Sequence, residues 1–150
     1  MPTPAYNRSY LGDIEIGQAS LFERVVENYP HVNIDQFITD YMKCRIRMML
    51  DEGWPRYATN PSNELLDAFI RQENYTMPID KCHMTPTMAY WAGMFYAKYQ
   101  WYWNVPSAKL IDWLPSAKLG AHYPGMHDKS MWLLVEKFPP SELPCYYEDA

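Results

Sequence analysis

"TMAYWAGMFYAKYQWYW", Thr87 to Trp103, decides the fold. Between Met88 and Trp103 only Lys98 and Gln100 are strongly polar. A helix apolar on nearly every side belongs inside a set of other helices, and this run is shorter than a membrane span. Thr85-Pro86 opens the run. We therefore read 86–103 as the central helix of an all-α, single-domain bundle of about six or seven short helices. Its aromatics are core on one side and, on another, suit a part-exposed Tyr/Trp face at an interface.

Downstream, "PSAKLIDWLPSAKLG", Pro106 to Gly120, spells PSAKL twice, nine residues apart. In each copy the serine hydroxyl is placed to accept from the backbone two or three residues on, and Ala, Lys and Leu favour helix. Each copy is thus a helix start. The first runs over 108–114, and the second is stopped by Gly120 or by Tyr123-Pro124-Gly125. The interval is too short for stacked structural repeats. Asp128 or Ser130 is then the expected cap of a last helix through Phe138, which Pro139-Pro140 ends.

Upstream, the prolines and glycines of residues 1–17 read as an irregular N-terminal arm. Leu21, Phe22, Val25, Val26 and Tyr29 give a short helix over 19–29. Asn33 with Gln36 has capping-box spacing, and one apolar stripe follows from Ile34 to Asp51, closed by Gly53. Asn60-Pro61 repeats the start signal for a helix with Leu65, Leu66, Phe69 and Ile70 on one face. The organisation is an arm at 1–17, a helical domain at 18–138, and an acidic, proline-broken tail at 139–150.

A chain of 150 residues with 16% aromatics and 6 glycines has the material for a core. Its net charge of -5 divides into -4 over residues 1–75 (7 Lys/Arg against 11 Asp/Glu) and -1 over 76–150 (6 against 7). That balance lacks the basic face a general nucleic-acid binder needs. No export signal or apolar membrane stretch is recognised, so a cytoplasmic location is expected. Cys44, Cys82 and Cys145 are widely spaced and odd in number, which reads as free thiols.

Residues capable of chemistry are few. Cys82-His83, His122 and His127 would need to converge to hold a metal, and no close ligand pair of the structural-zinc kind is present, so no metal or cofactor is assigned. His127-Asp128 with Cys82 as nucleophile is the basis for an alternative reading as a small hydrolase or transferase. Lys43, Arg45 and Arg47 spread around their helix as a solvated basic face. A helix-turn-helix reading of the two short helices offers only Lys118 and His122 to a DNA groove.

Residues 89–138, through Tyr99, Ser107, Leu110, Tyr123 and Met126-His127, resemble a family of small bacterial helical proteins from gut Firmicutes and their mobile elements. This chain departs from that pattern at Asp128, where the family has Thr, and in its N-terminal half. Members often stand beside ADP-ribosyltransferase-like toxins, so the resemblance implies an antitoxin or partner role. The expected function is non-catalytic protein binding, as an antitoxin-like or inhibitory partner from bacteria or a mobile element. A phage anti-defence protein, such as a CRISPR nuclease inhibitor, is the alternative within that class. The expected anchors are Trp54, Tyr57, Trp101, Trp103, Trp113 and His127, with acidic residues steering the approach to a basic surface.

Overall fold

A computed structural model of the chain describes residues 2–141. Eight α-helices run through those residues: α1 (Leu11–Asn28), α2 (Ile34–Met42), α3 (Arg45–Asp51), α4 (Ser62–Glu73), α5 (Pro86–Trp103), α6 (Ser107–Trp113), α7 (Ser116–Met126) and α8 (Met131–Lys137). Short 3-10 turns at Arg8–Tyr10 and Pro55–Tyr57 complete the order. The architecture is all-α, and extended pairing among the described residues is limited to an isolated bridge between Val32 and Ile79.

The central helix has the bounds read from sequence. Thr85 caps α5, its hydroxyl accepting from the Met88 N–H at 3.2 Å. Along its length α5 lies against α1, and α6, α7 and α8 pack around it. The two long helices cross where Gly93 meets Ala19. A Cβ at Gly93 would lie 2.8 Å from the Ala19 Cα, so only glycine permits this approach. Gln18 uses it, donating from Nε2 to the Gly93 carbonyl at 2.9 Å.

The many Tyr and Trp residues of α5 have a physical reason. Four of these rings fill core volume while the polar tip donates to a carbonyl the fold would otherwise leave dry. Tyr96 donates to the Leu114 carbonyl at the end of α6 (2.7 Å), and Tyr99 to the Phe138 carbonyl at the end of α8 (2.6 Å). Trp101 donates to Tyr6 (2.7 Å) and Trp103 to Val135 (2.9 Å). At the other side of the core Phe22, Phe37, Tyr41 and Phe69 pack mostly edge to face, joining α1, α2 and α4.

The structure corrects several local expectations. Helix α1 starts at Leu11, so the irregular arm ends well before residue 17. Leu11, Ile14, Gln18, Leu21, Phe22 and Val25 form a buried stripe whose packing outweighs the weak helix propensity of Gly12 and Gly17. The stripe from Ile34 to Asp51 is two helices. Lys43 ends α2, and Cys44, extended at φ -77° and ψ 165°, restarts the chain as α3 with its sulfur accepting from the Arg47 N–H at 3.4 Å. Asn33 caps α2 as expected, accepting from the Gln36 N–H at 3.1 Å.

Gly53 closes α3 at φ +83°, with the Gly53 and Trp54 N–H groups returning to Leu50 and Met49, a Schellman arrangement. Helix α4 begins at Ser62, so Pro61, not Asn60, holds the cap position. Helix α7 runs past Gly120 and Pro124 to Met126. Gly120 is buried against Met88, and the turn after Pro124 is closed by the His127 N–H on the Tyr123 carbonyl at 2.9 Å. Ser130 stands at the cap of α8 without a side-chain bond, and Pro139 follows its end. The tail expected over 139–150 lies, beyond Ser141, outside the described residues.

Both PSAKL serines are helix starts, by a route not foreseen. Pro106 and Pro115 occupy the cap positions, and neither serine makes a capping bond. Ser107 and Ser116 are buried at the first helical position and donate to carboxylates on facing helices. Ser107 Oγ donates to Asp51 of α3 at 2.5 Å, and Ser116 Oγ to Asp35 of α2 at 2.6 Å. The echo is therefore one docking contact used twice, fastening α6 and α7 to α3 and α2.

Candidate functional site

The break at Cys44 turns α3 so that Arg47, expected on a solvated face, has 0% exposure. Its guanidinium is surrounded by acceptors from four other positions in the fold. Nη1 donates to Gln18 Oε1 of α1 and Nη2 to Gln100 Oε1 of α5, both at 3.0 Å. Nε donates to Ser107 Oγ of α6 at 3.0 Å and to Asp51 at 3.2 Å. Asp51 also accepts the Ser107 N–H at 2.8 Å. Burial works against the Arg47 charge, and the adjacent Asp51 carboxylate outweighs it, so the group is held protonated.

A second buried pair lies close by. Lys98 of α5 donates to Glu15 of α1 at 3.2 Å and sits 3.8 Å from the centre of the Trp132 ring. Burial raises the Glu15 pKa, with Lys98 opposing that rise. Burial likewise pushes the Tyr6 hydroxyl up to about 12 and the Cys44 thiol up to about 11. The charge in this interior is committed to holding helices, and Cys44 is a poor nucleophile there.

The residues named for chemistry have individual settings. Cys82 is half-buried, its thiol donating to the Met84 carbonyl at 3.4 Å. His127 is exposed at the end of α7, where it stacks on Tyr123 at 4.7 Å with Nδ1 2.9 Å from that residue's carbonyl oxygen. His83 lines a cavity of about 320 Å³, together with Asp35 and Ser116. Among the described residues no group of three or more His, Cys, Asp or Glu is placed to hold a metal. No helix among them is long and apolar enough to cross a membrane.

The six expected partner anchors divide. Trp101 and Tyr57 are buried and cannot serve as free anchors, because α5 faces the core around Trp101 and Tyr57 is roofed by α4. Trp103 and Trp113 are half-buried, and Trp103 spends its N–H on Val135. His127 is exposed. Trp54 is 56% exposed, standing on the Schellman turn with its indole N–H on Glu52 at 3.2 Å.

Around Trp54 the surface has a distinct chemistry, of which the sequence pointed to Trp54 and Tyr57 but not to the arginines and Met48. Met48, one turn of α3 before Glu52, is 52% exposed. Two clefts open nearby, one between α3, the 55–57 turn and α4, the other between that turn and α4 alone. One, of about 350 Å³, is lined by Arg45, Met49, Arg56, Tyr57, Gln72 and Glu73. The other, of about 520 Å³, shares Arg56, Tyr57 and Gln72 and continues past Glu64 and Asp67 to Arg71. None of the three arginines forms an ion pair with a described carboxylate. A larger concavity of about 720 Å³ lies by Leu133 and Phe138, next to where the described chain ends. The available sequence signal for the first face was the density of Arg, Met, Trp and Tyr in "RIRMMLDEGWPRY", 45–57. No family model, curated protein or solved structure matches the chain.

Proposed function

We propose that this protein works stoichiometrically, as an antitoxin-like or inhibitory partner that binds another protein through the face made by α3, the 55–57 turn and α4. One observation carries the reading: Trp54 and Met48, each more than half exposed, are close chain neighbours of Arg56 and Met49, which line clefts holding three arginines without described ion-pair partners. Trp, Tyr and Arg are the residue types that dominate binding energy at interfaces, and Met adapts to irregular surfaces. The Arg47 node fixes the seat of α3, so the face is presented rigidly and little order has to be gained on binding.

Co-expression with the product of the neighbouring reading frame tests this. A complex of fixed stoichiometry is expected by size exclusion with light scattering. Trp54→Ala, at an exposed position, should leave the thermal midpoint unchanged and weaken the complex by about tenfold or more. A neighbour product that elutes separately, or a complex indifferent to Trp54→Ala, would count against the proposal.

A further inference from the structure

The cleft between Arg45 and Arg56 has a donor set that specifies its occupant. Two arginines, Arg45 and Arg56, line it, and Glu73 is the carboxylate among its lining residues. Glu73 is turned toward the backbone, its Oε1 3.4 Å from the Arg45 N–H. Tyr57, at 7% exposure, lies at the junction with the wider cleft. Its hydroxyl oxygen accepts from Gln72 at 2.7 Å, and its proton has no acceptor among the described residues. Arg56 lies over the Tyr57 ring at 5.3 Å, which stacks the guanidinium without using its N–H donors. The wider cleft is different, since Glu64 and Asp67 there oppose Arg56 and Arg71.

We infer that the Arg45–Arg56 cleft receives an aspartate or glutamate side chain of the protein partner, with an apolar neighbour of that residue resting on Trp54 and Met48. The inference rests on the protein-binding reading above. Two guanidiniums offer only donors, the phenol has its proton left to give, and a planar carboxylate matches an arginine fork in two-point contact. The molecule's net charge of -5 gives no long-range help to an acidic partner. Recognition is therefore local, within a screening length of about 8 Å, and contributes selectivity more than speed.

The test uses blocked peptides with one phenylalanine flanked on both sides by glutamates, glutamines, lysines or phosphoserines, titrated into the full chain. The NMR signals of the Arg45 and Arg56 side-chain N–H groups and of the Trp54 indole are followed. The glutamate peptide should shift all three saturably, and the glutamine peptide should bind at least about tenfold more weakly. Arg45→Gln/Arg56→Gln should abolish that difference. Equal binding of the glutamine or lysine peptide, tighter binding of the phosphoserine peptide, shifts centred by Leu133, or no shift at millimolar glutamate peptide would each overturn the inference. In the co-expressed complex the two proposals separate. If Trp54→Ala breaks the complex and the double arginine variant does not, protein binding stands and the carboxylate seat falls.

Discussion

Lys43 and Arg47 belong to one basic triplet in the sequence and have opposite energetic standing. Lys43 pairs with Asp112 at 2.7 Å on the surface, both partners being well exposed. Such pairs contribute about 0–1 kcal/mol, so Lys43→Leu should change stability by no more than that. Arg47 is different because its removal strands Asp51, Gln18 and Gln100 in the interior. Arg47→Leu should cost about 3–5 kcal/mol by urea denaturation. A loss below about 1 kcal/mol would show that the node is ornamental. No local pattern distinguishes the two residues. Asp51 is within one helical turn, but the other three acceptors that make burial of Arg47 tolerable lie 29, 53 and 60 positions away in the chain, beyond the reach of periodicity.

Helix identity was readable wherever the signal is local. Thr85 and Asn33 cap as their side-chain chemistry requires, Gly53 takes the left-handed position, and the apolar run at 86–103 could hardly be anything but a buried helix. Misreadings arose where tertiary contact overrides a local breaker. Gly12 and Gly17 stay helical because α1 is pinned along α5, and the restart at Cys44 depends on a sulfur cap, a weak signal in any sequence. The face around Trp54 was half legible: Trp54 and Tyr57 were named from residue type, but only the turn geometry shows which one points outward.

Glycine gives a direct test at this scale. A methyl at Gly93 would meet the Ala19 backbone and the Gln18 carbonyl at 2.8–3.0 Å, none of which can rotate away. Gly93→Ala should cost about 1–3 kcal/mol through separation of α1 and α5. Gly12 has nothing within 4 Å of a new Cβ, so Gly12→Ala should stabilise by about 0.5–1 kcal/mol. Paired thermal melts decide the matter. Equal effects of the two changes would mean the crossing is looser than described.

At the scale of the molecule, the Arg47 node joins α1, α3, α5 and α6, and the two Ser–Asp contacts fasten α6 and α7 to α3 and α2. A structure tied this way should open as a whole. Cys44 reports on that, being 4% exposed with its thiol pushed up to about 11, whereas Cys82 is half-buried in a loop. Site-resolved alkylation under native conditions should label Cys82 readily, with Cys44 protected by the full unfolding free energy obtained from urea denaturation. Comparable rates at both thiols would show that α3 detaches independently.

The same node bears on how the chain is made. Gln18 and Arg47 leave the ribosome long before Gln100 and Ser107 are polymerised, and until then the guanidinium has no enclosed place to go. The first half cannot settle into its final form during synthesis, as an early-folding domain would. Nascent chains stalled short of residue 107 should remain open to protease, and acquire resistance abruptly once that serine clears the exit tunnel.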